Sequence, residues 1–570
     1  MKTIRPVIIG SLFVIIGVTA GWVYHLSKRN SWHTADQPGR VGRTATSELV
    51  SVTALPSFEQ SEGNIDPRSG RLFLSATDLS VPGAVRLEVR RYLQDGQGPA
   101  GVFGSRWRMN YESHVVRSGT LVVIDDPLGS VLFTGAPDTR RYKSPLGEEL
   151  VVESGRTIRY RPDGTQEVFN ERGWLEERID RNGNKILVRY DGAGRISRIE
   201  GPNGAYLAFT CDNDGRVIEV NSSSQDKVRY NYRSGEQERN LPTASYEYGA
   251  IGELMTLTNP LSGKVDFKYD SKHRVVSRCW ASGAEERYEF DDDAHTLRQI
   301  DPEGRATVMI WSRDGHHADL TGPRGAKTAI DYDQAGRPVT VIGPTGQIAR
   351  FTYDPLGRTV STENSSVGTA RFEYDGDAPF ISTVTDSTGE RQTWQYDEHH
   401  NLLHITGSKE HCPKSMYEYY SDGLIKTTRT CGSVSFTTTY NPKGLPATIT
   451  DETGRRWTFE YDERGRLSRE TDALDHVTTR TYDSLGRLAS VTTAGGGTSK
   501  VEYSTSGQLI KTVEPDGAET RYDYDKRGRI VAIHQPGDRT TRFEFYADGQ
   551  PKSVTNPAGH TTRFEYDEAG

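Results

Sequence analysis

Two histidine clusters have the residue types that bind metal ions. His399, His400 and His404 lie within six residues of one another, and His316 and His317 are adjacent. Zinc ligands must converge on one point, but adjacent strand residues point to opposite faces, and neither cluster has a partner at a fixed spacing. The sequence therefore predicts solvated loop histidines and no metal centre.

Two acidic stretches look like fragments of calcium-binding loops. They are Asp291-Asp292-Asp293 and Asp212-Asn213-Asp214-Gly215. An EF-hand also requires a glutamate at the twelfth loop position, which neither stretch supplies. Short acidic, glycine-containing clusters are typical of turns, so we expect turn chemistry at both places.

Motifs for nucleophilic and phosphate chemistry are absent from the sequence. It contains no Gly-x-Ser-x-Gly, no Walker A loop and no His-Glu-x-x-His. Gly495-Gly496-Gly497 precedes Thr-Ser-Lys, but it lacks the phosphate-loop spacing and indicates a flexible turn. The sequence predicts no catalytic residue, no cofactor, and no enzyme within these 570 residues.

The composition indicates many short strands joined by tight turns. Hydrophobic residues are only 34% of the chain and mean hydropathy is −0.67, which would suggest disorder. The 28 Tyr, 17 Phe and 8 Trp argue against disorder, and 58 Gly supply turns. A net charge of −8 with both signs interspersed argues against a nucleic-acid partner.

Four cysteines exclude a disulfide-rich scaffold and any Cys-x-x-Cys zinc site. Cys412 and Cys431 lie in adjacent repeats and would pair only in an oxidising compartment. Their spacing does not match the local repeat, so we expect two unbonded thiols.

The amino terminus contains the one strongly apolar run. Residues 6–26 are long enough to cross a bilayer, with basic residues on both sides. This predicts a transmembrane anchor within residues 1–28, with the repeat region exported to the periplasm or cell surface. The alternative is a signal peptide cleaved after Val18-Thr19-Ala20, which would give a secreted protein. Residues 29–62 are polar and predict a linker.

A repeat with the pattern Tyr-Asp-x-x-Gly-Arg organises the rest of the chain. Of 19 successive spacings between lead residues from Phe169 to Tyr566, 14 are 21 residues. Further lead positions lie at Cys211, Tyr232, Tyr248, Tyr269, Phe290, Trp311, Tyr374, Tyr396, Tyr419, Tyr440, Tyr503 and Tyr546. The intact copies supply these residues: Tyr190, Asp191, Gly194, Arg195, Tyr332, Asp333, Gly336, Arg337, Tyr353, Asp354, Gly357, Arg358, Tyr461, Asp462, Gly465, Arg466, Tyr482, Asp483, Gly486, Arg487, Tyr524, Asp525, Gly528 and Arg529.

Each repeat predicts one β-hairpin. After Gly465-Arg466, residues 467–471 alternate as a strand, a turn follows at 472–475, and residues 477–482 return. So many hairpins form an antiparallel meander too long to stay flat, and each unit has too few apolar residues for a sandwich core. The expected fold is all-β, a meander spiralling into a hollow shell, and the tyrosines are predicted to be structural rather than sugar-binding.

The repeats resemble the YD repeats of Rhs proteins, bacterial toxin-complex components and animal teneurins. The resemblance covers Phe169 to Gly570, and residues 63–93 and 101–112 resemble the β domain that precedes the repeats in Rhs proteins. It implies a β domain at 63–155 that caps the shell, and YD repeats at 156–570. It also implies a carboxy-terminal toxin held inside the shell, with an immunity protein or secretion machinery as further partners.

Two departures from the family pattern affect that expectation. Asp-Pro-x-Gly occurs at Asp126, Asp301 and Asp354, but not with the family's terminal signature, so no autocleavage residue is assigned. The sequence stops at Gly570, before the arginine of its last motif, which suggests a truncated copy or an incomplete reading frame. The toxin is therefore expected outside this sequence.

Two functions remain open from the sequence. The first is a shell that encapsulates and helps deliver a polymorphic toxin in intercellular competition. The alternative is a cell-surface or secreted repeat protein that binds glycans or neighbouring cells. Sequencing the gene past codon 570 separates them, because only the first needs a closing segment and a cargo.

Overall fold

The structure is a computed structural model of the chain. It describes residues 64–93, 101–103, 107–118, 121–127, 129–135, 140–230, 245–248, 254–259, 263–281, 283–407, 413–432, 434–504, 507–525, 528–546 and 550–566. The expected anchor, residues 6–26, and the linker, 29–62, lie outside these ranges. Within them, no helix has the length and apolarity needed to cross a membrane.

The described residues form three antiparallel sheets in which each strand pairs with its sequence neighbours, which confirms the predicted meander. The first sheet contains β1 (Asn64–Ile65), β2 (Leu72–Val81), β3 (Leu87–Leu93) and β4 (Trp107–Met109). The second contains β5 (His114–Ser118), β6 (Leu121–Asp126), β7 (Gly129–Thr134), β8 (Arg141–Lys143), β9 (Glu149–Glu153), β10 (Arg156–Tyr160), β11 (Gln166–Phe169), β12 (Leu175–Ile179), β13 (Lys185–Tyr190), β14 (Ile196–Glu200), β15 (Tyr206–Cys211), β16 (Val217–Ser222) and β17 (Lys227–Arg229).

The third sheet has 31 strands. They are β18 (Ser245–Tyr248), β19 (Leu254–Asn259), β20 (Gly263–Tyr269), β21 (Val275–Trp280), β22 (Glu285–Asp291), β23 (Thr296–Ile300), β24 (Ala306–Trp311), β25 (His317–Thr321), β26 (Lys327–Tyr332), β27 (Pro338–Ile342), β28 (Ile348–Tyr353), β29 (Thr359–Asn364), β30 (Gly368–Tyr374), β31 (Ile381–Thr385), β32 (Arg391–Tyr396), β33 (Leu402–Gly407), β34 (Ser415–Tyr419), β35 (Ile425–Thr430), β36 (Phe436–Tyr440), β37 (Pro446–Asp451), β38 (Arg456–Tyr461), β39 (Leu467–Thr471), β40 (Val477–Tyr482), β41 (Leu488–Thr492), β42 (Thr498–Tyr503), β43 (Leu509–Val513), β44 (Glu519–Tyr524), β45 (Ile530–Gln535), β46 (Arg539–Phe545), β47 (Pro551–Thr555) and β48 (Thr561–Arg563).

The second and third sheets, taken together, are called the ribbon below. Two kinds of turn alternate along the ribbon and define its two edges. YD turns, such as 462–466, follow the motif tyrosine, and mid-unit turns, such as 472–476, close the other end of each hairpin. A β-bulge at Tyr461 starts the YD turn, and Gly465 has φ of 78°, a conformation that glycine adopts without steric cost.

The ribbon coils, so that mid-unit turns of its first part contact YD turns of its second part. Asn182 and Asn401 exchange hydrogen bonds across 219 residues, and the Asn184 side chain donates to the Asp422 carbonyl, 238 residues away. Farther along, Arg324 donates to Gln550 over a separation of 226 residues. The similar separations indicate successive coils of one spiral. The name "coil seam" is used below for this line of contacts.

The small first sheet packs against the ribbon at several places. Arg68 donates to the Gly315 carbonyl, the Val275 N–H donates to the Gly70 carbonyl, and the Tyr230 hydroxyl donates to Asp78. The second sheet begins at His114, so its ladder runs through residue 155 without a break. The predicted domain boundary at 155 is therefore not an interruption of the sheet.

The apolar core is concentrated in the first half of the chain. One cluster of buried residues extends from Leu72 in the small sheet to Leu297 in β23. In the later repeats, a second cluster has only Ile449, Phe459 and Leu467 as its buried members. The strands up to β32, before Asn401, are called the first coil, and the strands from β33 onward are called the second coil. The small sheet and the first coil therefore share a packed core, whereas the second coil is held together mainly by its ladder.

The cysteines differ from the prediction. Cys431 is disulfide-bonded, so the expected free thiol there is wrong. Cys211 and Cys279 carry free thiols. Cys412 lies outside the described residues. A bonded cysteine is typical of proteins that fold in an oxidising compartment.

Candidate functional site

The YD turn is closed by the aspartate and arginine of the motif. In one intact copy, Asp462 Oδ1 accepts the backbone N–H groups of Arg464 and Arg466, and Asp462 Oδ2 accepts Arg466 Nε at 2.7 Å. The aspartate thereby satisfies turn donors that would otherwise lack partners, in the manner of an Asx turn. The turn needs these residues for its own geometry.

The motif tyrosine connects its repeat to the preceding one. The Tyr482 hydroxyl donates to the Leu467 carbonyl at 2.8 Å, and the Arg466 guanidinium lies 4.5 Å from the centroid of the Tyr482 ring. Leu467 directly follows Arg466, so one tyrosine is held by both residues of the turn before it. This combination of a hydrogen bond and a cation–π contact, called a clamp below, joins the two repeats, and it recurs at Tyr353 and Tyr374.

The turn geometry and the tyrosine hydrogen bond recur in the other intact copies of the motif. In all six intact copies the aspartate pairs with the arginine four residues later, and the glycine has positive φ. Five of the six tyrosines donate to a carbonyl 15 residues earlier; they are Tyr190, Tyr353, Tyr461, Tyr482 and Tyr524. Tyr332 is the exception, and the Arg68 guanidinium, from the turn between β1 and β2, lies over its ring.

The electrostatic effects agree with a structural role for the motif. Burial raises the pKa of the Tyr461 hydroxyl above its ordinary value. Burial would also raise the pKa of Asp354, but the hydrogen bonds from Arg358 outweigh it and lower that pKa. A tyrosine that stays protonated and an aspartate that stays ionised are suited to holding turns.

One motif position differs from the prediction. The bulge, and the ring beneath the Arg529 guanidinium, belong to Phe545 rather than Tyr546. Tyr546 instead begins the turn, at the place of the motif aspartate, and its N–H donates to the Gln550 carbonyl. With Phe545 as the lead residue, both adjoining spacings become 21 residues.

A buried charge cluster lies where the ribbon begins. Arg159 is 1% exposed and pairs with Glu167 at 3.0 Å, Glu148 at 2.9 Å and Asp126 at 2.8 Å. Burial opposes ionisation of Glu167, but Arg178, Arg161 and Arg159 lower its pKa to about 2. The alternation of residues 156–160 places Arg159 on the core face with Thr157, so the period-two pattern of this strand marks an arginine inside the core.

A second carboxyl, that of the partly buried Glu112, has the opposite shift. Glu112 accepts the N–H groups of Val102 and Met109. Burial raises its pKa to about 7, although these hydrogen bonds and nearby Arg108 oppose the change. Glu112 therefore joins the segment before β4 to the end of the small sheet, in a site where its charge is poorly solvated.

A cavity of about 370 Å³ lies beside β31, β32 and β33. The side chains that line it include aromatic, neutral polar and acidic groups, namely Asp375, Ser382, Trp394, Gln395, Tyr396, Leu403 and His404. Asp375 Oδ2 accepts a hydrogen bond from His400 Nδ1 at 3.1 Å, and the Tyr396 hydroxyl donates to the Ile381 carbonyl. The sequence did not single out this group of residues.

The histidines of the two clusters lie in different local environments. His399 is an exposed turn residue, as predicted, but His404 lies in β33 and His317 in β25, where it bonds to Asp331. The prediction of loop positions is wrong for these two residues. Among the described residues, no group of three or more metal-ligating side chains could hold an ion.

Family comparisons match three parts of the chain. The teneurin YD-shell model matches residues 324–475, and the RHS repeat model matches 461–498, 503–540 and 545–570. A domain of unknown function, DUF6531, matches residues 62–133. The fold and its clamps define a repeat protein of the YD-shell class. The chain is an Rhs/YD-repeat protein.

Similar proteins agree with this assignment. A protein described as probable deoxyribonuclease RhsB, of Dickeya dadantii (strain 3937), is 24% identical over 307 residues, which are 43% of this chain and 21% of the relative. The TcdB2–TccC3–Cdc42 crystal structure has a TM-score of 0.52 at 11% identity, over 85% of this chain and 36% of that one. TcdB2–TccC3 without its hypervariable C-terminal region gives 0.50 at 12% identity, over 85% and 35%. These structures show the fold, and the chain spans about a fifth to a third of the relatives' lengths.

Proposed function

We propose that this chain is the wall of a hollow shell that encloses a toxin segment and helps to deliver it into another cell. The observation that carries the proposal is the closure of the ribbon on itself at the coil seam. The names of the relatives support a variable toxic activity, since one is a probable deoxyribonuclease and another has a hypervariable C-terminal region.

The dimensions of one coil support an enclosed space. At least twenty strands, β13 to β32, lie between the turns that hold Asn182 and Asn401. At about 4.8 Å per strand, they give a circumference of roughly 100 Å and a width of roughly 30 Å. Packed sheets lie about 10 Å apart, so opposite walls of such a coil are too distant to fill the centre.

The distribution of buried residues also supports a wall. Several strands of the second coil, such as β36, β42 and β44, have exposed and partly buried side chains and no fully buried one. A sheet in a sandwich would have one fully buried face. Side chains that are only partly buried are expected in a sheet that has no second sheet packed against either face.

In this proposal the chain carries no catalytic step of its own. The ladder and the clamps form a barrier, and a cargo held behind it is kept from its target until delivery. The partners are the cargo, an immunity protein and secretion machinery. We also propose export to the periplasm or cell surface, through an anchor at residues 6–26 or by secretion, and the disulfide at Cys431 supports an oxidising destination.

Protease protection of the cargo tests the proposal. The product of the complete reading frame past codon 570 is purified and digested, with the downstream segment expressed alone as the control. We expect the downstream peptides to survive in the intact protein and to be cleaved in the control. Equal cleavage rates, or a reading frame that ends at codon 570, would contradict the proposal.

A cell-surface interaction protein is the second candidate function. The observation that favours it is the aromatic and polar cavity beside β32, since a pure barrier has no need of such a cavity.

A further inference from the structure

Exposed aliphatic side chains lie next to one another where the ribbon begins. Strand pairing places Val116 of β5, Val123 of β6 and Leu132 of β7 in one row, and Leu121 lies two residues from Val123 on the same face. Val116, Leu121 and Leu132 are 43–46% exposed. The name "aliphatic patch" is used below for these four residues.

Exposed apolar side chains of comparable size occur singly in the other described strands of the ribbon. They are Met255, Ile310, Ile342 and Ile510, which belong to strands that are not adjacent to one another. Single exposed apolar residues are normal at a protein surface, whereas a contiguous group marks an interaction surface. The aliphatic patch is therefore different in kind from the other exposed residues.

Strands β6 and β7 are apolar on both faces. Val122, Ile124 and Phe133 alternate with the residues of the patch, are at most 1% exposed, and belong to the core shared with the small sheet. An antiparallel strand that is covered on one face alternates between apolar and polar residues, and a continuous apolar run is typical of a strand covered on both. The run at 121–124 therefore indicates that a further surface covers the patch.

The charges around the patch favour a lipid surface. Asp125, the acidic residue on this face of β5 to β7, is paired with Arg108 at 2.9 Å, so covering the patch desolvates no unpaired carboxylate. Lys143 pairs with Thr134 at the border of the patch, and Arg141 lies on the same face, 66% exposed, with Glu149 as its partner. Binding to a membrane surface depends on buried apolar area and on attraction between basic side chains and lipid phosphates.

The preceding chain would keep this surface near a bilayer. Residues 6–26 are the predicted anchor, and residues 29–62 are the predicted linker. A flexible chain of the linker's length spans roughly 30 Å on average. An anchored protein would therefore present the patch to the bilayer at a roughly millimolar effective concentration, at which a small surface is enough for docking.

We propose that the aliphatic patch is a membrane-contact surface that rests on a phospholipid bilayer, with Lys143 facing the lipid phosphates. Docking holds the ribbon in one orientation on the membrane, instead of leaving it to turn freely on its linker. The inference rests on the anchor named in the proposed function, and it does not depend on cargo enclosure.

Quenching of an introduced tryptophan by brominated lipid tests the contact. The full chain carries Leu132→Trp, with Leu121→Trp as a second probe of the patch and Ile310→Trp as the matched control, because Ile310 is equally exposed but isolated. Each variant is reconstituted into vesicles of phosphatidylethanolamine and phosphatidylglycerol, with or without brominated acyl chains. The wild-type chain, with its 8 Trp, supplies the background. Flotation of the vesicles reports separately whether the chain is anchored.

We expect brominated lipid to quench the fluorescence that Leu132→Trp and Leu121→Trp add, and to leave the fluorescence that Ile310→Trp adds unchanged. Combining Leu132→Trp with Val116→Ser and Leu121→Ser should lower the ratio of docked to free chain about tenfold, because two aliphatic side chains no longer leave water on docking.

Each other outcome would overturn the inference. A chain that floats with the vesicles but shows no quenching at either patch probe leaves the anchor standing and removes the contact surface. A chain that does not float removes both. Equal quenching of Ile310→Trp and the patch probes would mean that the contact is not specific to the patch. Dimers that Val116→Ser with Leu121→Ser abolishes would assign the patch to a second copy of the chain.

Discussion

Asn182 and Asn401 exchange a pair of amide hydrogen bonds, of 2.7 and 3.3 Å, although 219 residues separate them. Asn182 belongs to a mid-unit turn and Asn401 to a YD turn, so the two edges of the ribbon recognise each other. The contacts of the coil seam are made by side chains and single carbonyls, whereas neighbouring strands within each sheet share a continuous ladder. Separating the coils should therefore require less free energy than breaking a coil.

The first prediction concerns the coil seam. Asn182→Ala should lower the free energy of unfolding by about 1 kcal/mol, because it removes both hydrogen bonds to Asn401. Hydrogen exchange should rise in turns 180–184 and 397–401 and stay unchanged in the strands. Leu474→Ala is the control, since Leu474 occupies the same turn position and is 73% exposed. A rise in exchange along whole strands would argue against separable coils.

The second prediction concerns the link between repeats. Tyr482→Phe keeps the ring beneath Arg466 but removes the bond to the Leu467 carbonyl, at a cost of about 1 kcal/mol. Exchange should increase locally, in β39 to β41. The control is Tyr522→Phe, because the Tyr522 hydroxyl has no hydrogen-bond partner among the described residues. Equal effects of the two substitutions would remove the argument for the clamp.

The third prediction separates backbone strain from packing. Gly465→Ala and Gly336→Ala both force alanine to adopt φ near 77°, at a cost of about 1–2 kcal/mol each. A Cβ at Gly465 would also lie 2.9 Å from Pro82 Cγ, whereas none of the described atoms lies within 4 Å at Gly336. Gly465→Ala should therefore lower the thermal unfolding temperature more than Gly336→Ala does. Limited proteolysis should also cleave the small sheet faster in the Gly465→Ala variant. Similar losses for both variants would contradict the contact with Pro82.

The fourth prediction concerns acid stability. The pKa of Glu167 is about 2 in the folded chain against an ordinary value of 4.5, so its contribution is present above pH 4.5 and is lost as pH falls toward 2. Glu167→Gln should cost about 3–5 kcal/mol at pH 7, because the buried Arg159 loses a charged partner.

Urea unfolding at several pH values checks this prediction. The difference between wild type and Glu167→Gln should shrink steadily from pH 5 toward pH 2. Glu171→Gln, at an exposed position, serves as the control and should differ little from wild type at any pH. A constant difference across this range would show that Glu167 does not act through its charge.

The fifth prediction concerns Glu112, whose contribution has the opposite sign. Its pKa is about 7 in the folded chain and 4.5 ordinarily, so it favours folding below pH 4.5, and that contribution is lost as pH rises through 7. Infrared spectroscopy of the carboxyl stretch should detect a protonated carboxyl at pH 6 that is absent from Glu112→Ala. Its absence from wild type would mean that the site is better solvated than its burial implies.

The sequence by itself determined the local structure. The spacing of tyrosine, aspartate, glycine and arginine predicted the hairpins, because each turn is closed by residues four apart. Even the misplaced lead residue, Tyr546, was one position from Phe545. The turns and the pairing of adjacent strands depend on residues within one or two repeats, so a single sequence is enough to predict them.

Only the tertiary structure decided which distant turns meet. Asn182 and Asn401 have no shared motif, and their pairing follows from the curvature that twenty intervening strands accumulate. The partners of Arg159 and the open space beside Trp394 likewise depend on packing between separate strands. Curvature and packing are sums over many residues, so no single repeat reveals them.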